Sequence, residues 1–116
     1  MTALMIEAEL WVSFASLLRS YVAAASLNSA AEVIVNSTES SIRISTGDAS
    51  LAMQVDPQSG AGYWQLAGSL DLQGRFILLH DGRIALDGKM LELDHAAIDF
   101  AAALMQAAST SAGEDS

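Results

Sequence analysis

The amino-acid sequence predicts an α+β fold in two layers: an N-terminal helix, an antiparallel β-meander of about six strands, and a C-terminal helix. Apolar residues recur at three- and four-residue spacing near both ends of the chain, whereas in the middle they alternate with polar residues. Glycine-containing pairs separate the alternating segments, as expected of tight hairpin turns. Because both helices and one sheet face are apolar, we expect both helices to cover that face.

The first predicted element is an amphipathic helix from about Ala3 to Ala25. Trp11 is expected to lie beside its apolar stripe rather than in the centre of it. The stripe follows the helical period and consists of Ile6, Leu10, Phe14, Leu17, Tyr21 and Ala24, and Leu18 and Val22 widen it.

The same segment differs from an export signal or a membrane span. Glu7 and Glu9 precede its apolar part, whereas a secretory signal begins with positive charge. Polar residues also interrupt the apolar run, so it lacks the length that a membrane span needs. We therefore expect a soluble, cytoplasmic protein that has no membrane partner.

The first hairpins of the meander have clearly alternating strands. A turn at Gly47-Asp48 places Ile44 opposite Leu51. The same turn places Ile42 opposite Met53, so that apolar residues again face apolar residues across the strands.

Further two-residue turns are predicted at Gln73-Gly74, Asp81-Gly82 and Asp87-Gly88. They define an inner face of the sheet, which the helices would cover. Gly68 is assigned to this face, where it would allow a helix to approach closely or mark a bulge. The other predicted inner residues are Trp64, Leu66, Leu70, Ile77, Leu79, Ile84, Leu86, Leu91 and Leu93.

The chain is predicted to end in a helix and a tail. Asp94 has the side chain of an N-cap, and a helix is expected from His95 to about Ala108. Its apolar side would carry Ile98, Ala101, Leu104, Met105 and Ala108. Residues 1–108 form one predicted domain, and residues 109–116 are expected to be a disordered acidic tail.

The opposite, outer side of the sheet is the candidate functional surface. A sheet face open to water should be polar at nearly every position, yet the predicted pairing brings several apolar side chains together there, which is typical of an interface. The predicted interface residues are Phe76, Leu78, Ala85, Met90 and Tyr63. Two alternatives remain open, namely cover by another part of the same chain and a cavity for a small ligand.

The charge balance narrows the range of partners. The chain has 14 acidic and 5 basic residues and a formal net charge of −9. Such a chain repels phosphate backbones and anionic membrane surfaces, so we expect neither nucleic acid nor a membrane as a partner. A second copy of the chain, or another protein with a basic surface, is the expected partner.

Few residues indicate chemistry at a site. His80-Asp81 and Asp94-His95 contain side chains that bind zinc, but neither pair has a recognised metal-site spacing, and we expect no metal or cofactor. Cysteine is absent, no GxSxG motif occurs, and no nucleophile stands in a pattern with a base, so we expect no enzyme.

The sequence therefore predicts a non-enzymatic protein-interaction module, an adaptor or a chaperone-like protein that forms a homodimer through the outer face of its sheet. The alternative is a carrier that holds a small apolar ligand in a cavity between the helices and the sheet.

Overall fold

The computed structural model describes residues 2–28, 32–56, 58–69 and 71–114. Helix α1 (Thr2–Ala25) is followed by a short 3-10 turn (Ser26–Asn28), seven strands and helix α2 (Leu93–Glu114). The strands are β1 (Val33–Ser37), β2 (Ser41–Thr46), β3 (Ala49–Val55), β4 (Ala61–Ala67), β5 (Leu72–Leu78), β6 (Arg83–Leu86) and β7 (Lys89–Glu92).

These strands form one antiparallel sheet in the order of the sequence, from β1 to β7. Both helices pack against each other and on the sheet. The predicted α+β fold is therefore confirmed, with a seventh strand. Over the residues described, neither helix contains an apolar stretch long enough to cross a membrane.

A chain of aromatic rings connects the two layers. Phe76 on β5 stacks on Trp11 of α1, with ring centroids 6.3 Å apart. Phe14 meets Phe100 of α2 edge to face at 6.2 Å, and Phe100 meets Trp64 of β4 at 5.3 Å. Because these rings lie in the core, the sheet and both helices are held by one continuous cluster.

The buried side of α1 is displaced towards the residues that were predicted only to widen its stripe. Among the α1 side chains that the structure describes, the buried ones are Trp11, Phe14, Leu18 and Val22, which also follow the helical spacing. Trp11 is only 2% exposed, so its predicted position beside the stripe is wrong. The large indole occupies the centre because it stacks on Phe76.

Helix α2 begins at Leu93, so Asp94 belongs to its first turn and the predicted cap is off by two residues. The Asp94 carboxylate accepts a hydrogen bond from the Tyr21 hydroxyl of α1.

The buried side and the end of α2 also differ from the prediction. Ile98, predicted on the apolar side, is 41% exposed, and Phe100 is buried instead. The helical backbone continues past Ala108 to Glu114. The side chains of 109–116 lie outside the described residues, and a disordered tail stays a prediction.

Two of the predicted registers are confirmed. Ile44 lies opposite Leu51 in the β2–β3 hairpin. In the β6–β7 hairpin Ile84 lies opposite Leu91. The turn between β6 and β7 has positive φ at both Asp87 (52°) and Gly88 (84°), as a two-residue type I′ turn requires.

The predicted turn at Gln73-Gly74 is wrong, because both residues lie within β5. Gln73 pairs with Gln65, and Gly74 pairs with Trp64. The chain turns at residues 68–71 instead, where Leu70 lies outside the described residues. Glycine is needed inside β5 because Trp64 lies against it: a Cβ at position 74 would be 2.8 Å from the Trp64 Nε1 atom.

The connection at Asp81-Gly82 is one residue longer than predicted. The Leu79 amide donates to the Arg83 carbonyl oxygen at 2.8 Å, and Leu78 pairs with Ile84. Positive φ occurs at Gly82 (85°) but not at Asp81, which is typical of a three-residue loop ending in a left-handed residue.

This extra residue exchanges the two faces of β5. Phe76 and Leu78 are 1% and 2% exposed and belong to the core, so their predicted position on the outer side is wrong. Ile77, predicted on the inner side, points outward and is 47% exposed. Leu79, also predicted on the inner side, lies in the connection between the strands. A shift of one residue moves every side chain of a strand to the other face.

The connection between β4 and β5 is held against α2. A Cβ at Gly68 would be 3.3 Å from the Ala107 Cβ and 3.0 Å from the Ala49 Cβ, which confirms the close helix approach predicted at this glycine. The Ser69 hydroxyl also donates to the Ala107 carbonyl oxygen at 2.9 Å.

Candidate interaction surface

The outer face of the sheet is the surface that the two helices leave uncovered. We define it by the strand positions whose side chains point away from α1 and α2, as the register places them. Its members include Ile34, Asn36, Arg43, Ala52, Gln54, Ala61, Tyr63, Gln65, Gln73, Arg75, Ile77, Arg83, Ala85, Met90 and Glu92.

An apolar row crosses one side of the outer face. It consists of Ala61, Ile77, Ala85 and Met90, each the direct register partner of the next across β4 to β7. Ile77 and Met90 are 47% and 56% exposed. Ala85 and Met90 were placed on this face by the sequence, whereas Ile77 was missed because the predicted register turned it inward.

Tyr63, the other residue placed correctly on the outer face, is 56% exposed. Its hydroxyl donates to the Gln54 Oε1 atom of the neighbouring strand at 2.6 Å. This bond holds the ring across two strands. Tyr63 therefore offers a large apolar surface in a restricted orientation, which is a property of residues that anchor interfaces.

A polar groove of about 520 Å³ lies next to Tyr63 over β1 to β4. Its outer-face residues are Asn36, Arg43, Ala52, Gln54, Tyr63 and Gln65. Thr38 and Ser41, whose hydroxyl oxygens lie 2.7 Å apart, also line it, together with Ser37, Ile42 and Met53. No aspartate or glutamate lines the groove in the part of the chain that the structure describes.

The charged side chains of the outer face are mainly arginines. Arg43, Arg75 and Arg83 are strand residues on this face, against the single acidic residue Glu92. Asp81 neutralises Arg83. The Arg83 Nη2 and Nε atoms donate to the Asp81 Oδ2 atom at 2.6 Å and 2.9 Å. Hydrogen bonding from Arg83 lowers the pKa of the Asp81 carboxyl, and the same contact raises the pKa of Arg83.

Arg43 and Arg75 differ from Arg83 in having no acidic partner. Within the described residues neither guanidinium forms an ion pair, although the chain has 14 acidic residues. Both side chains are exposed. The outer face therefore has two arginines that form no ion pair with the described residues, in a chain whose net charge is −9.

The acidic residues of the sheet are concentrated in its turns and form an acidic rim at the strand ends. Each of the six connections between consecutive strands contains one, and these residues are Glu39, Asp48, Asp56, Asp71, Asp81 and Asp87. Local backbone contacts explain two of them. The Asp56 Oδ1 atom accepts from the Gln58 amide at 3.0 Å, and Asp81 Oδ1 accepts from the Arg83 amide at 3.2 Å.

In each of the two histidine–aspartate pairs, the aspartate is bonded to another side chain. Asp81 is bound by Arg83, and Asp94 accepts the Tyr21 hydroxyl. That hydrogen bond raises the pKa of Tyr21, with burial and the Asp94 charge acting in the same direction. Among the described residues no group of three or more histidine and acidic side chains is arranged to hold a metal ion.

A small apolar pocket of about 150 Å³ lies between the sheet and α2. Its lining residues are Leu51, Trp64, Leu66, Leu72, Leu86, Asp99, Phe100 and Ala103. The indole nitrogen of Trp64 is buried without a hydrogen-bond partner among the described residues. This pocket corresponds to the cavity that the carrier hypothesis requires.

Comparisons of the chain with protein-family models, with curated proteins and with solved structures find no match.

Proposed function

We propose that this protein is an interaction module that binds another polypeptide through the outer face of its sheet. The observation that carries the proposal is that this face stays uncovered while Tyr63, Ile77 and Met90 on it remain about half exposed. Exposed apolar groups that adjoin one another, surrounded by polar ones, are typical of protein interfaces. Tyrosine, arginine and methionine, all present here, are enriched at such surfaces.

The dimensions of the outer face suit a protein partner. Six spacings of about 4.8 Å give the seven-stranded sheet a width of about 29 Å. Strands of up to seven residues at about 3.4 Å per residue give a length of about 20 Å or more. The resulting area of about 600 Å² approaches the roughly 800 Å² that each partner buries in a standard interface.

The groups on this face favour binding over catalysis. They are amides, hydroxyls, guanidinium groups and the Glu92 carboxylate, and in the described part of the face no nucleophile lies against a general base. The Tyr63 hydroxyl donates its hydrogen bond to a neutral amide oxygen. We therefore propose a non-enzymatic role.

Homodimer formation through this face stays a prediction. A two-fold axis through the outer face would bring the unpaired Arg43 and Arg75 of both copies onto the same interface. Their repulsion opposes the attraction of the apolar row, so such a dimer should tighten as salt is added. Light scattering at increasing ionic strength measures this directly.

The proposal is tested by site-specific crosslinking in the native host. A photoreactive phenylalanine analogue replaces Ile77 on the outer face or, as the control, Val12 on the exposed side of α1, which is 65% exposed. A crosslinked species is expected from position 77 and not from position 12. Its mass separates a second copy of the 12.1 kDa chain from a different protein. Identical patterns from both positions, or none from position 77, would refute the proposal.

The carrier function is the second candidate, and the small apolar pocket favours it. Its volume of about 150 Å³ equals that of an engineered cavity known to bind benzene, and it is below the roughly 300–1,000 Å³ of ordinary ligand sites. Only a ligand of one ring would fit. Benzene should then raise the melting temperature of the protein, and Leu72→Trp, which fills the pocket, should abolish the rise.

A further inference from the structure

We infer that the partner of the outer face is an acidic polypeptide segment that lies across the strands, with its carboxylates on Arg43 and Arg75. The inference rests on the proposed function and adds the chemistry of the partner. It differs from the expectation drawn from net charge alone, which favours a basic partner, because the local charge of the outer face is opposite to that of the whole chain.

The first support is the pattern of unpaired charge. Arg43 and Arg75 are exposed and have no ion pair within the described residues, whereas Arg83 on the same face is neutralised by Asp81. Guanidinium groups bind carboxylates through two parallel hydrogen bonds. At physiological ionic strength charges more than about 8 Å apart are largely screened. A bound segment therefore experiences the guanidinium groups that it contacts more strongly than the acidic residues further away. The Asp87 carboxylate lies beside Gly74, next to Arg75 in the chain, so Arg43 is the more isolated of the two positive charges.

The second support is the lining of the polar groove. Gln54 and Gln65 provide amide groups, Arg43 provides a positive charge, and no described lining residue is acidic. An acidic segment in this groove would meet donors and no like charge. A basic segment would meet Arg43 without a compensating carboxylate, and that juxtaposition is unfavourable.

The positions of the two arginines set the direction of the segment. Arg43 lies on β2 and Arg75 on β5, three strand spacings or about 14 Å apart across the sheet. The register places Gln73 in the row of Arg43, so Arg75 is displaced by two more residues, about 7 Å, along β5, and the two positions are about 16 Å apart. An extended chain advances about 3.4 Å per residue, so carboxylates about four to five residues apart would reach both guanidinium groups. A segment parallel to the strands would instead run into the acidic rim at their ends. The crosswise direction also brings it beside Ile77, which is two residues from Arg75 on β5.

The experiment measures binding of fluorescein-labelled oligoglutamate by fluorescence anisotropy at about 0.15 M ionic strength, where the Debye length is about 8 Å. Oligolysine and single-stranded oligothymidylate of equal length are the comparison probes. We expect oligoglutamate to bind and oligolysine not to bind. Arg43→Gln and Arg75→Gln should each weaken the affinity about tenfold, the loss expected when one charge-assisted pair is removed.

The matched control is Arg19→Gln, which removes the same charge from the exposed side of α1. It should leave the affinity unchanged. Arg43→Lys keeps the charge but loses the fork geometry, so we expect it to bind with intermediate affinity. Circular dichroism establishes that each variant is folded. Since all three arginines are exposed, their replacement should not affect the core.

Three results would overturn the inference. The first is that oligoglutamate does not bind, and the second is that it binds equally to wild type and both outer-face variants. The third is that it binds less tightly than oligothymidylate, which would indicate nucleic acid. If crosslinking at Ile77 persists in any of these cases, the interaction module stands and only the acidic partner is wrong. If position 77 also gives no crosslink, the proposed function itself fails.

Discussion

Alanine replacement of two neighbouring residues on β5 tests the register on which the outer face depends. Leu78 is 2% exposed and lies in the core, whereas Ile77 is 47% exposed on the opposite side of the strand. We expect Leu78→Ala to destabilise the protein much more than Ile77→Ala. The register predicted from the sequence requires the opposite order.

The magnitudes follow from burial. Leucine-to-alanine replacement in a core costs about 2–5 kcal/mol, the transfer energy plus the cavity left behind. Ile77→Ala removes the equivalent of about three methylene groups at about 0.8 kcal/mol each if fully buried. With 47% of the side chain already exposed, about half of this remains, which is about 1 kcal/mol. A domain stability of about 5–15 kcal/mol leaves both variants folded.

Urea unfolding followed by tryptophan fluorescence and circular dichroism measures these costs. With an m value of about 2 kcal/mol/M, Leu78→Ala should lower the midpoint by about 1–2.5 M and Ile77→Ala by about 0.5 M. The comparison is valid if both probes give one transition and the slopes agree. If Ile77→Ala costs as much as Leu78→Ala or more, Ile77 does not belong to the outer face and the proposed interface loses its apolar centre.

Three further predictions concern single contacts. Thr46→Val should raise stability by about 1 kcal/mol, because the Thr46 hydroxyl is buried without a hydrogen-bond partner among the described residues. Tyr21→Phe should lower the urea midpoint at neutral pH, because it removes the hydrogen bond to Asp94. Because the pKa of Tyr21 is raised in the folded state, this stabilisation is complete below the ordinary tyrosine pKa of about 10 and is lost as pH rises through the folded-state pKa. The difference in stability between wild type and Tyr21→Phe should therefore shrink above pH 10. Gly74→Ala should cost about 1–3 kcal/mol and change the fluorescence emission of Trp64, because the added Cβ would lie 2.8 Å from the indole nitrogen.

The sequence predicts the fold class and those hairpins in which apolar and polar residues alternate cleanly. In β2 and β3 only one alignment matches Ile44 with Leu51, and the structure has that alignment. The same clarity places Tyr63, Ala85 and Met90 on the outer side, as observed. In these strands a wrong register would bury polar side chains, so the pattern is decisive.

The register of β5 could not be predicted because its pattern is ambiguous. Residues 76–79 are four consecutive apolar residues, so either face could be the inner one. Asp-Gly occurs at both ends of β6, yet it forms part of a three-residue loop at residues 80–82 and a two-residue turn at residues 87–88. The dipeptide fits both loop types, because each needs a left-handed residue that glycine supplies.

Gly74 shows a different limit of local reasoning. Glycine after a polar residue favours a turn, but here it is required by Trp64, ten positions earlier in the sequence and directly opposite in the sheet. The requirement exists only once the two strands are paired. Likewise, Trp11 is central to α1 because of its stacking on Phe76, which no helical period reveals.

The shift of one residue in β5 also changes the kind of partner that the outer face can bind. The predicted register placed Ile77 on the inner side, and Phe76 and Leu78 supplied the apolar centre of the interface. In the structure, Phe76 and Leu78 are buried, while Ile77 and Arg75 both point outward. The outer face thus loses two large apolar side chains and gains Ile77, which lies two residues from the exposed Arg75. We expect this exchange to weaken self-association by apolar contact relative to the recognition of carboxylates by Arg43 and Arg75.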